Sequence, residues 1–464
     1  MLLLILTFIG LFFTAIGESF LPLVSVWVLG LIWILLPYRD SPGLIVVPLS
    51  VSFQWLQITF GIFYVPLTGI QLRPMEVDYV SFVGIGLASM VALASGINQG
   101  YRVTARWARS EQPHRALHSM ISFRFLLYFN LILLYFKEDI LSIIWMIPAL
   151  TQPLYAIFNL KIGVLFLVVF GFIYQQKYGW VWVVVGLEVG LNFTGYFADF
   201  RISLMVFFVA LLDSYVRSKS SYIHKRILLH LSILLLFTAI AGTVWTGIKS
   251  DWRTFLDYQA TGQETQLDKL SMVADIIEKW RNSPKSKGTG TAFGNRIWDI
   301  YHASLVIQRV PDVVPHEDGA LLMGAIRHIL MPRFLFPDKP VLLSESYKVR
   351  KYAGVMVAGG EGNKTNHSFS YITESYVDFG MPLMLVPIFA FGMLFGAALG
   401  MIQSYISDYY FKIIFILALS WTSLGRFETS WTKLLGMFGT MLIYALIFYF
   451  FLRLFTPSRQ KALS

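Results

Sequence analysis

Ile227-Leu-Leu-His230-Leu-Ser-Ile-Leu-Leu-Leu-Phe237-Thr-Ala-Ile-Ala-Gly242-Thr-Val-Trp245-Thr246 has no formally charged side chain, and basic residues flank it: Lys225 and Arg226 before, Lys249 after. A membrane-crossing helix needs about 20 mostly apolar residues, and only a helix or a closed barrel satisfies its own backbone in hydrocarbon. Residues 227–246 meet that requirement. Working outward, residues 2–16, 20–37, 43–67, 79–98, 120–136, 158–174, 180–196 and 202–216 precede this run as further candidate spans, and 381–403, 410–424 and 434–455 follow it. The predicted fold class is therefore all-α, a polytopic transmembrane helix bundle of about 12 spans with one large external loop.

Composition agrees. The 464 residues are 56% hydrophobic and 16% aromatic with only 14% charged, outside the range of ordinary globular domains. The net charge of +10 lies largely in short basic loops beside apolar runs, where the positive-inside rule explains it without a nucleic-acid partner. With no cysteine, disulfides, thiolate metal sites and cysteine nucleophiles are excluded. The first 16 residues lack a basic leader and a small-residue cleavage site, so they read as a retained span.

Charge asymmetry sets the expected topology. The stretches 101–119, with Arg102, Arg106, Arg109 and Arg115, and 217–226, with Arg217, Lys219, Lys225 and Arg226, read as cytoplasmic loops. The apolar run 140–174 is too long for one span and contains Pro148 and Pro153. Counting it as two spans would reverse the later loops, so residues 140–155 are expected to form an interfacial or re-entrant helix. Three regions follow: residues 1–247, an N-terminal bundle of nine spans plus that helix; residues 248–380, a large external and mostly helical loop; and residues 381–464, the last spans with a short cytoplasmic tail. Within the loop, Leu267, Leu270, Val273, Ile277 and Trp280 recur at helical spacing and predict an amphipathic helix. Residues 293–310 and 316–331 read as two more helices.

The polar residues that invite a functional reading concentrate in 309–380. Arg309, Arg327 and Arg333 lie there, and Arg201 lies at the tip of the hairpin between two earlier spans. Guanidinium forks grip phosphate oxygens in pairs and stay charged, which suits a diphosphate headgroup; the competing reading is solvated surface charge. If residues 367–378 are helical, His367, Tyr371, Glu374 and Asp378 share one face, and His367 or Glu374 there has the chemistry of a general base. The competing reading makes them interfacial polar residues opening the next span. The sequence shows no paired-aspartate nucleotide-sugar motif, zinc spacing, nucleophile elbow or Walker lysine.

Val310-Pro311-Asp312-Val313-Val314-Pro315, then Gly319, then Leu330-Met331-Pro332-Arg333-Phe334-Leu335-Phe336-Pro337-Asp338-Lys339-Pro340, is similar to the Pro-Arg-x-x-x-Pro-x-Lys-Pro signature of bacterial oligosaccharide repeat-unit polymerases. These are the O-antigen polymerases, relatives of the O-antigen ligases. Glu374 followed by Phe379-Gly380, and Arg201 opening a span after an external hairpin, resemble the same group. The likeness covers the external loop and one hairpin; the remaining spans match in number and order.

The resemblance implies a C-type glycosyltransferase of the cytoplasmic (inner) bacterial membrane, its large loop on the periplasmic or extracellular side. It would join oligosaccharides carried on undecaprenyl diphosphate into a cell-envelope polysaccharide or exopolysaccharide by inverting transfer, with no metal or other cofactor. Arg201, Arg333 and Arg327 would hold the diphosphate, and Glu374 or His367 would take the acceptor proton. Implied partners are the lipid-linked donor and acceptor, membrane lipid, a chain-length regulator and a flippase. Two other classes stay open: a flippase or transporter, for which buried charges within the spans are expected, and a non-catalytic assembly subunit.

Overall fold

The computed structural model describes residues 2–17, 19–72, 77–109, 122–146, 151–195, 199–258, 266–283, 289–331, 336, 338–339, 344–357, 367–406 and 408–455. Every regular element among them is a helix. Six are long and apolar enough to cross a membrane: Val46–Thr68, Tyr79–Ala105, Thr151–Tyr174, Ser221–Asp257, Leu385–Tyr405 and Trp431–Phe451. Leu3–Gly17, Leu21–Leu35, Phe123–Tyr135, Tyr178–Phe193 and Tyr409–Leu424 are shorter apolar helices at other predicted spans. At 1.5 Å per residue, a helix of about 16 residues reaches ~24 Å, short of the ~30 Å hydrocarbon layer.

Several boundaries differ from those expected from sequence. The fourth span does not stop at 98, because helix runs from Tyr79 to Arg109; the added residues contain no proline, and alanine and arginine are good helix formers. The helix expected over 140–155 is two, Lys137–Met146 and Thr151–Asn159, and the sixth span starts at Thr151 instead of 158; Pro153 lies in the first turn of Thr151–Asn159, where a missing N–H breaks no intrahelical bond. The helix expected over 293–310 is two, Thr289–Ile297 and Tyr301–Arg309; between them the Trp298 indole donates to the Ile58 carbonyl at 3.0 Å. The third loop helix starts at Ala320 instead of 316, after Asp318 and Gly319 turn left-handed at φ 48 and 87.

Contacts divide the chain into two units. The first comprises Met1–Met120, Leu141–Leu160 and Ile297–Ser464. Its closest helix pair is Tyr79–Arg109 with Leu385–Tyr405. Gly96 and Gly100 on one helix meet Gly392, Gly396 and Gly400 on the other; an added Cβ at Gly396 would land on the Ile97 carbonyl, and one at Gly392 would come within 2.6 Å of the Leu93 carbonyl. Spacing of four residues keeps these glycines on one face, so the backbones touch. Val46–Thr68 packs along Tyr409–Leu424 in parallel register. Gln54 Nε2 donates to the Leu424 carbonyl at 2.7 Å, and the Phe427 N–H donates to Gln57 Oε1 at 3.0 Å. Outside the membrane-length helices, Val306, Val310, Val349, Tyr352, Ala353, Phe369 and Val377 form a small apolar core.

The second unit comprises Ile121–Ile140 and Lys161–Arg296. Phe123 fills the space beside Gly171. His230, inside the apolar run 227–246, accepts a bond at Nδ1 from the Trp182 indole at 3.2 Å, which satisfies an imidazole in a greasy setting. The predicted amphipathic helix is Gln266–Arg281, with Val273 buried.

Candidate functional site

In the second unit, Arg201 lies in the first turn of Phe200–Arg217. Phe200 packs edge-on to Trp245, ring centroids 5.7 Å apart, and Phe193 meets the same indole at 5.3 Å. Trp252 donates to the Gly195 carbonyl at 3.2 Å. These contacts bring the start of Phe200–Arg217 to the part of Ser221–Tyr258 just past its apolar run, where Lys249 and Arg253 stand one turn apart. Phe293 packs its ring where Gly242 has no side chain, and Arg296 follows it one turn later on Thr289–Ile297. Arg201, Arg253 and Arg296 all repel the Lys249 ammonium. Arg201 and Arg296 are exposed, while Lys249 and Arg253 are half-buried. Like charges gathered at a wet surface raise the local potential, and a bound anion relieves their repulsion. Of these four, only Arg201 stood out in the sequence; Lys249, Arg253 and Arg296 join it through aromatic packing that their spacing does not announce.

In the first unit, the helix expected over 367–378 begins at Tyr371, because the Ser370 hydroxyl caps it by accepting the Thr373 N–H at 3.2 Å. His367 therefore lies before the helix and does not share its face. Glu374 is 1% exposed. Its Oε1 accepts Lys348 Nζ at 2.6 Å and its Oε2 accepts the Trp431 N–H at 2.7 Å. Burial pushes the Glu374 carboxyl above its ordinary value, with Lys348 opposing. Burial also pushes Lys348 down, but Glu374 and Glu345 together outweigh it and hold the ammonium above its usual value. Glu345 links the same region, accepting Ser430 at 2.8 Å and Ser368 at 3.0 Å.

His367 is half-buried; its N–H donates to Ser346 Oγ at 2.9 Å, and its ring meets His302 edge-on at 5.9 Å. Helix Glu345–Ala353 thus anchors both base candidates, His367 through Ser346 and Glu374 through Lys348. Asp378 has a separate task. Its carboxylate accepts the Leu321 and Leu322 N–H groups at 3.0 and 2.8 Å, capping Ala320–Leu330 from another helix. Arg327 is exposed in the last turn of that capped helix, and Arg309 ends Tyr301–Arg309 with its guanidinium against Gly354. Arg333 lies outside the described residues. Among the described residues, no group of three or more histidine or acidic side chains is placed to hold a metal.

No family model matches the chain, and neither does any curated protein or solved structure.

Proposed function

We propose that this protein is a membrane glycosyltransferase that extends oligosaccharides carried on undecaprenyl diphosphate, building an envelope polysaccharide on the outer face of the bacterial cytoplasmic membrane. The observation that carries the reading is the gathering of Arg201, Lys249, Arg253 and Arg296 where a membrane-length helix leaves its apolar run. A lipid diphosphate is an anion tethered to a hydrocarbon tail, and cations at the end of apolar helices match both parts. Holding the diphosphate stabilises charge that develops as it leaves the anomeric carbon. Arg333, in the motif that carries the family resemblance, and Arg327 are further candidates for this grip.

The acceptor hydroxyl loses its proton as it attacks. Glu374, with a partner on each oxygen, is suited to holding helices in place, and between the two base candidates this reading assigns the acceptor proton to His367, half-buried and off the helix. The bundle of about 12 spans, with residues 248–380 outside, belongs to this proposal. A transporter reading draws on one observation, the Glu188–Lys161 ion pair at 3.4 Å among apolar helices.

Full-length protein in proteoliposomes, supplied with undecaprenyl-diphosphate-linked repeat units, is expected to yield a ladder of longer lipid-linked chains. Arg201→Ala and His367→Ala should lose the ladder by about 100-fold or more in rate. Translocation without elongation would replace the proposal with a transporter, and neither activity would leave an assembly subunit.

A further inference from the structure

Glu188 lies in the apolar helix Tyr178–Phe193 and is 1% exposed. A bare carboxylate there would cost several kcal/mol, so its neighbours matter. Lys161 Nζ is 3.4 Å from Oε2. Asn130 Nδ2 donates to Oε1 at 3.0 Å, while Asn192 Nδ2 and Ser203 Oγ approach Oε2 at 3.1 and 3.3 Å. The chain of bonds continues outward: Asn192 Oδ1 accepts Lys137 Nζ at 2.8 Å, and the same ammonium donates to Asp199 Oδ2 at 2.7 Å. Asn130, Asn192 and Ser203 are all buried, and the Asp199 side chain is 38% exposed.

The two ends of this network fall on either side of one residue. Asp199 and Ser203 both lie two positions from Arg201, in the first turn of Phe200–Arg217. Asp199 occupies the N-cap position, where an aspartate ordinarily accepts a bond from its own helix. Its side chain makes no such bond and turns to Lys137. The local preference is overridden, and the turn bearing Arg201 is tied to a buried ion pair in place of its own backbone.

We propose that the Glu188–Asn192–Lys137–Asp199 network is a positioning device that fixes the Arg201 turn for anion binding by the basic cluster. The inference rests on reading that cluster as an anion site. The network ties down the helix start that carries Arg201. Asp199 and Lys137 are positioning residues that act through Arg201, and Glu188 anchors them in the apolar interior.

Asp199→Asn separates this reading from plain electrostatics by sign. Removing a negative charge two positions from Arg201 should tighten anion binding if Coulomb's law alone operates. Loosening the Arg201 turn should weaken it. The measurement is titration of full-length protein in nanodiscs with inorganic pyrophosphate. Asp199→Asn is expected to weaken binding about fivefold or more, and to have no further effect in an Arg201→Ala background, because residues acting through a shared partner are non-additive. Asp199→Glu, which keeps the carboxylate, should recover most of the affinity. Asp199→Asn binding as tightly as the unaltered protein, or losing affinity equally with and without Arg201, overturns the positioning role while the anion site stands. No pyrophosphate binding by the unaltered protein removes the anion site and the inference together.

Discussion

The Glu374 carboxylate is 1% exposed, and with Lys348 removed it would keep only the Trp431 N–H as partner. Breaking a buried pair from one side costs about 3–5 kcal/mol, whereas removing both charges can be close to neutral. Lys348→Met is therefore expected to lower the unfolding temperature of the purified protein sharply, and Lys348→Met with Glu374→Gln to restore most of it. Equal stability of Lys348→Met and the unaltered protein in a thermal melt would show that the pair holds nothing together. Glu374 was legible in the sequence as a polar residue of interest, but its partner was not. Lys348 lies 26 residues away on a helix whose placement depends on the small apolar core around Val306, Val349 and Val377. Asp378 carries the same lesson, since one-dimensional spacing suggests a shared face with Glu374 while its carboxylate serves the backbone of Ala320–Leu330.

Helices in lipid gain little from hiding apolar surface, so close backbone approach through small residues takes over that task. Tyr79–Arg109 and Leu385–Tyr405 are joined in this way, with Gly396 against the Ile97 carbonyl. Gly396→Ala should cost about 1–3 kcal/mol by overpacking, read as a lower melting temperature in detergent. Gly84, on the same helix as Gly96, has nothing within 4 Å of the place an alanine methyl would occupy. Gly84→Ala should leave stability unchanged or raise it by up to ~1 kcal/mol through helix propensity. Equal responses at the two sites would mean that the glycines do not set the distance between the helices. The four-residue glycine spacing was present in the sequence; which helix it faced depended on the partner carrying the matching glycines about 300 residues later.

Across the whole molecule, the arginine and lysine asymmetry predicts that Ser220 and Ser283 lie on opposite sides of the membrane. Reporter fusions at these positions should give opposite sidedness, and the same sidedness at both would remove the topology on which an external loop depends. The expected loop, residues 248–380, is itself shared between the two contact units, ending in one at Arg296 and resuming in the other at Ile297. Sequence by itself determined that the described chain is helical and that several helices are long and apolar enough to cross a membrane, because the length of an apolar run is a property of the chain taken one residue after another. It also marked Arg201 and Glu374 as unusual, because charge beside apolar runs is costly wherever the chain folds. Only the tertiary structure decided what those charges meet. Arg201, Arg253 and Arg296 come within electrostatic range of Lys249, and Lys348 reaches Glu374, through aromatic contacts and helix packing between distant segments; that packing depends on three-dimensional fit, which no local spacing encodes.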